Sequence, residues 1–335
     1  MPLEWTERPI DTIAFDEDSV KKIDIPRDNP IRRIICEFFI KIVNPTGTTT
    51  ASDDDILEIA TSCKLIMNGK DVKFSKSTRQ WYYMEKDDKG TSPYKDALIL
   101  TASITTTHRF VLVHDFASDP LDRQDITALL PANRLSSLKL EITWGALSTI
   151  LSSTDDATTI TDADSGVDVE IREVSGTVEK DGSLIDIADL PFADIREDSD
   201  ATGIPPSKTS FDSSTFKKDV TPAPANILKV LLLVLDNDVR TNSFITEIKI
   251  QREKGGNKRL YHRTWDSAWR ENKAEQGLES AVTGVLALDF VDIFGRGLIN
   301  RGNEGDVRWR FLTGSTTEAD DNLEILTRYI SLGGQ

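Results

Sequence analysis

Three histidines, His108, His114 and His262, are the residues of this chain that could exchange a proton near neutral pH. His114 sits before Asp115 in VLVHDF (111–116), an order that suggests a base oriented by a carboxylate. Neighbours along a strand point to opposite faces, so these two do not pair directly. A second version of the motif, VLALDF (285–290), has Leu288 where His114 stands. An apolar residue there predicts that His114 is a packed structural histidine, and His108 and His262 carry no ligand pattern around them.

Other chemistry is thin. DADSGVDVE places Asp162, Asp164, Asp168 and Glu170 around Gly166. That is part of a calcium-loop spacing, without the third oxygen ligand before the glycine and without the distant Glu. A solvated acidic loop is the expectation, and Ca²⁺ binding at Asp162, Asp164 and Asp168 stays open. FGRGLINRGNEG (294–305) is glycine-rich but lacks the strand–loop–helix setting and the Lys of a phosphate loop. With no CxxC and no HExxH, a zinc site is not expected. Glu141 faces outward from a strand, but one exposed Glu among 56 acids does not make a glycosidase pair. Cys36 and Cys63 lie in apolar runs and read as buried thiols, and two cysteines cannot build a disulfide framework. The expected catalytic, cofactor and metal residues are therefore none.

The elements that hold these residues are more informative. The chain has 335 residues, 38% hydrophobic and 29% charged, enough for one large domain or two. Net charge is −16. Such a surface repels phosphate backbones, so no direct nucleic-acid partner is expected. No apolar run reaches membrane-spanning length. The first residues have neither the basic nor the apolar region of a signal peptide.

Six landmarks occur twice in the same order. Lys21-Lys22 and Pro26 lead into IRRIICEFFIKI, as Lys217-Lys218 and Pro222 lead into ILKVLLLVLD. Both apolar runs read as strands covered on both faces. CKLIMNG is matched by FITEIKIQREKGG, Arg79-Gln80-Trp81 by Arg263-Thr264-Trp265, and VLVHDF by VLALDF. LKLEITWG is matched by VRWRFLTG, and VDVEIREVS by LEILTRYIS. Spacing differs where turn residues cluster: Phe116 to Leu138 is 22 residues, Phe290 to Val307 is 17. Loops absorb such differences at little entropic cost. The order predicts a domain-scale duplication.

Each copy alternates with period two, the mark of strands half in and half out of a core. Leu138, Leu140 and Ile142 are expected inward, as are Val307, Trp309 and Phe311. Arg308, Arg310 and Leu312 are expected outward. Phe116 and Phe290 should anchor the core, each preceding Asp turned outward or capping the loop. Two helices are predicted. One runs over 119–130, with Asp119 as N-cap and Pro120 behind it. The other runs over 264–276, with Trp265, Ala268 and Trp269 on one face. Many short strands with long loops indicate sandwiches or barrels.

Two consecutive β units of this kind, each with a short helix between late strands, resemble the double jelly-roll major capsid proteins. That family builds tailless icosahedral viruses of the adenovirus lineage, usually with an internal membrane. The resemblance covers 21–332 and rests on the duplication and layout, because the family has no short diagnostic motif. It implies an all-β fold of two consecutive eight-stranded jelly-roll β-barrels (a double jelly roll) with short helices in loops. The implied parts are an N-terminal arm (1–19), a first barrel (20–177), a crossover (178–214) and a second barrel (215–335). It also implies a homotrimer of pseudo-hexagonal outline that packs against neighbouring capsomers, with penton and minor capsid proteins and an internal membrane as further partners. The place is the virion, after synthesis in host cytoplasm. The arm, with Trp5, Ile10, Ile13 and Phe15, reads as a segment that docks on a neighbour or the shell's inner side, or as a frayed terminus. Loops 46–55 and 181–214 are expected at contacts or on the outer face. Two rival classes remain. A glycan-active double jelly-roll enzyme needs a carboxylate pair about 5 to 10 Å apart in a groove. A carbohydrate-binding or spike sandwich needs exposed aromatic platforms, and aromatics are only 7%.

Overall fold

The computed structural model describes residues 3–44, 54–98, 100, 103–122, 124–150, 158–178, 184–185, 187, 190–204, 216–218, 225–236, 239–252, 259–276, 282–294, 297–300, 307–314 and 321–331. The chain forms two compact units, Met1–Ile195 and Arg196–Gln335. Loop 46–53 and residues 181–183, 186, 188–189 and 205–214 lie outside the described residues.

Unit 1 contains β1 (Leu3–Ala14), β2 (Val20–Asp24), β3 (Ile31–Asn44), β4 (Ala60–Met67), β5 (Asp71–Lys76), β6 (Ile104–Asp115), β7 (Leu138–Trp144), β8 (Thr159–Ile160), β9 (Gly166–Val178) and β10 (Leu184–Ile185). Helix α1 (Thr78–Lys89) falls between β5 and β6, and α2 (Leu147–Ile150) follows β7. Unit 2 contains β11 (Ile195–Gly203), β12 (Phe216–Lys218), β13 (Ala225–Asp236), β14 (Val239–Arg240), β15 (Ile245–Arg252), β16 (Arg259–Thr264), β17 (Val285–Asp289), β18 (Leu298–Asn300), β19 (Val307–Thr313) and β20 (Asn322–Ser331). Helix α3 (Trp265–Gln276) falls between β16 and β17, and α4 (Phe290–Phe294) follows β17.

The strand orders coincide. One sheet of unit 1 runs β1-β9-β3-β6, and its counterpart in unit 2 runs β11-β20-β13-β17. The other runs β2-β7-β4-β5, and its counterpart β12-β19-β15-β16. Each unit is thus an eight-stranded jelly roll, and the chain is a double jelly roll. Five of the six landmarks of the repeat fall on paired elements, while Arg79-Gln80-Trp81 lies within α1 and Arg263-Thr264-Trp265 spans the end of β16 and the start of α3. Lys21 and Lys217 lie on β2 and β12, while the two Asp-Phe pairs end β6 and β17.

The cores follow the period-two pattern. In unit 1, Phe38 of β3 stacks on Phe110 of β6 at 4.6 Å and meets Trp144 of the facing sheet edge-on at 6.0 Å. In unit 2, Val230, Leu232 and Leu323 of one sheet pack with Ile248, Trp309 and Phe311 of the other. Val307, Trp309 and Phe311 are buried as expected, with Arg308 and Arg310 half-exposed between them. Asn68 and Gly69 turn the β4–β5 hairpin at φ 51° and 78°. A two-residue turn matched to strand twist requires two such positive φ values.

Five expectations are corrected. Within 1–19, expected as an arm, Leu3–Ala14 is a strand that pairs along β9 from Leu3↔Thr177 to Ala14↔Gly166. The stretch 178–214 is not only a crossover, since Ile195–Gly203 supplies the matching strand β11 beside β20. These two segments are the strands that complete each jelly roll. No helix forms among the described residues of 119–130. The Asp125 carboxylate instead accepts from the amides of Ser118, Asp119 and Thr127, which fold the stretch as turns. Leu312 is buried at the end of β19 rather than outward. Strand β3 alternates buried and half-exposed residues, so only β13, with Val230 to Leu235 all buried, has both faces covered.

Candidate functional site

The predicted catalytic candidates do not assemble. His108 and His114 lie on the same face of β6, six residues and about 20 Å apart at the rise of a strand. His114 is buried and packs against the rings of Phe74, Trp81 and Phe116. Its Nδ1 lies 2.9 Å from Nζ of the buried Lys76, whose ammonium also sits over the Phe74 and Trp81 rings. This is the packed histidine the sequence predicted, with an amine partner it did not. His262 lies on the exposed side of β16, where Nε2 is 2.8 Å from Glu247.

The acidic loop is dispersed. Asp162 and Asp164 sit in an exposed 3-10 turn, with Asp164 held by Lys41 at 2.7 Å. Asp168 accepts from the Thr12 hydroxyl. No group of three potential metal ligands occurs among the described residues. Gly166 has a packing reason instead: a Cβ there would come 2.7 Å from the carbonyl oxygen of Ile13, where β9 passes β1. Glu141 is taken by Lys22 at 2.7 Å and lies 3.9 Å from Lys64.

What the residues do build is a locked strand edge. Strand β6 ends its sheet, and an uncovered edge offers free donors and acceptors to any other strand. Helix α1 closes part of it. Ser77 and Gln80 form a reciprocal capping box at its start, and Gly90 ends it at φ 66°. From its buried face, the Trp81 indole donates to the Val113 carbonyl at 3.0 Å, and Glu85 accepts from the Val113 amide at 2.7 Å. The remaining edge is met by residues 94–96. Val111 donates to the Tyr94 carbonyl, and Arg109 exchanges bonds with Asp96.

Charge secures this closure. Lys89 contacts Glu85 at 2.6 Å and lies 3.6 Å from Asp115. Asp115 also holds Arg32 at 3.0 Å and Arg33 at 2.6 Å. Burial pushes the Glu85 carboxyl above its ordinary range, against the pull of Lys89 and the Val113 amide. Burial likewise draws the Arg32 guanidinium down, opposed by Asp115. Asp115 and Asp289, alike in sequence, differ in use. Asp289 caps α4 by accepting from the amides of Val291 and Asp292. Neither α1 nor its edge contacts were expected from the sequence. The signal was present in Ser77, Gln80 and Gly90, but Glu85 finds Val113 only through the tertiary fold.

The described residues form a double jelly roll, and solved structures share this fold. The STIV MCP matches with TM-score 0.78 at 17% identity, over 98% of this chain and 97% of that one. The PBCV-1 virus capsid protein matches with TM-score 0.60 at 15% identity, over 99% and 96%. The major capsid protein P2 from bacteriophage PM2 matches with TM-score 0.56 at 10% identity, over 99% of each chain. No protein-family model matches the sequence, and no curated protein matches it.

Proposed function

We propose that this chain is a major capsid protein, a non-enzymatic homotrimeric building block of an icosahedral viral shell. The observation that carries the reading is the end-to-end double jelly roll, shared over nearly the whole of both chains with solved capsid proteins. The physics agrees with it. Two similar barrels per chain give a threefold ring six similar units, which can tile with near-sixfold contacts. Sealed strand edges suit a protein that works at extreme local concentration. In the same reading the trimer meets neighbouring capsomers, penton and minor capsid proteins, and an internal membrane, in the virion after synthesis in host cytoplasm.

The test is native mass together with electron microscopy of the purified protein. A species of about 112 kDa, three copies of the 37.3 kDa chain, with a pseudo-hexagonal outline is expected. A stable monomer would reject the reading. So would turnover on a glycan panel that disappears when one or two carboxylates are replaced.

A further inference from the structure

Strand β1 is anchored at one end and lightly held at the other. Toward its C-terminal end Ile13 and Phe15 are buried, the Phe15 ring meets Trp144 edge-on at 5.3 Å, and the Trp144 indole donates to the Ala14 carbonyl at 3.1 Å. Toward its N-terminal end Trp5, Thr6, Glu7 and Pro9 are exposed and Arg8 is half-buried. The strand ends its sheet, so its ladder runs to β9 alone. Pro9 has no N–H, and the register slips between Pro9 and Asp11. The two halves therefore meet at a break in the ladder.

A buried acid lies under the lightly held half. The register sets Thr6 opposite Glu173 and Arg8 opposite the buried Ile171, so Thr6, Arg8 and Glu173 share the inner face. Glu173 is 2% exposed, and its Oε1 has no hydrogen-bond partner among the described residues. Facing it are Arg8 from β1, and Asp28 and the Asn29 amide from the turn before β3. Arg8 lies 4.0 Å from Glu173 but is bonded to the exposed Asp28. The neighbouring pair, Glu7 with Arg172 at 2.7 Å, stands on the other face. Burial outweighs Arg8 and the Asn29 amide, and holds the Glu173 carboxyl above its ordinary range.

We propose that residues 3–8 are a proton-gated strap: they seat on β9 while Glu173 is protonated, and ionisation of Glu173 releases them about Pro9. A buried carboxylate that lacks partners is costly, and opening the strap returns it to water. The exposed ion pairs of Arg8 and Glu7 add little to oppose release. The closed strap holds the Glu173 proton more tightly than the open one. Closure is therefore strongest below the ordinary carboxylate pKa and weakens as pH rises through the higher closed-state value. The device belongs to a single chain and does not depend on the capsid reading.

The experiment is hydrogen exchange of the full chain from about pH 4 to about pH 8, read as protection factors so that the intrinsic pH dependence of exchange is divided out. Opening rises by up to about tenfold for each unit by which the closed-state pKa is raised, so protection over residues 3–8 is expected to fall by about threefold or more while protection in β7 stays level. In Glu173→Gln, with circular dichroism confirming the fold, the profile over 3–8 should be flat. In Arg8→Ala, which takes away the cation facing Glu173, the fall should extend to higher pH than in wild type. A flat wild-type profile overturns the strap without need of any variant. So does a fall shared equally by β7, or one that Glu173→Gln leaves in place.

Discussion

The Phe290 ring meets the Trp309 indole edge-on, with centroids 5.8 Å apart and planes at 77°. Phe290 comes from the end of one sheet and Trp309 from the centre of the other, and both are fully buried. The contact therefore ties the two halves of the second barrel together. Phe290→Ala is expected to cost about 3 to 5 kcal/mol, the range for truncating a buried aromatic. Urea unfolding measures it, and a loss below about 1 kcal/mol would mean the ring is not part of the core.

Glu85 gives a pH signature with a definite sign. Burial raises its pKa in the folded state, so the folded protein holds that proton more tightly than the unfolded chain. The stability it contributes is fully present below its unfolded pKa and is lost as pH rises through the higher folded value. Melting temperatures of wild type and Glu85→Gln should converge or cross over that window. A difference independent of pH would refute the assignment. Glu85→Ala also leaves the Val113 amide without its acceptor and should cost about 2 kcal/mol.

Asp125 should behave in the opposite sense. Burial opposes its charge, but hydrogen bonds from Thr127, Asp119 and Ser118 outweigh it and hold the carboxyl below its ordinary range. Its contribution is present above the unfolded Asp pKa and is lost as pH falls through the lower folded one. Asp125→Ala is expected to cost about 2 to 4 kcal/mol. Amide exchange at Ser118, Asp119 and Thr127 should accelerate while exchange in β3 stays slow.

The thiols should be silent in the native protein. Burial pushes Cys63 up to about 12 and Cys36 well above its ordinary value, and both are fully buried. The thiolate is the reacting form, so a disulfide reagent should label neither cysteine until the chain unfolds. Labelling at the rate of a free thiol at pH 8 would contradict the packing around β3 and β4.

Much of the fold was legible because each barrel writes its core in a local code. Alternating apolar residues mark β7 and β19, the paired Asp-Phe steps mark the ends of β6 and β17, and recurring order exposes the duplication. A period-two pattern survives in sequence because burial itself has period two. The two segments that escaped are β1, which ends its sheet, and β11. Both expose much of their length, and WTERPID and IREDSDATG read as arm and crossover because little of them is buried. Only β9, some 160 residues further on, makes a strand of β1.

The same reason governs the side chains. Composition and motif absence sufficed to expect no catalytic set, and the Leu288 counterpart sufficed to predict a packed His114. The partners of Lys76, Glu85, Asp115 and Asp125 were not legible. A buried charge is stabilised by whichever donor or cation the fold brings within about 3 Å, and sequence order does not record that distance. The sequence by itself determined two β barrels in tandem and which residues fill them. Tertiary pairing alone decided how each barrel is completed and how the β6 edge is sealed.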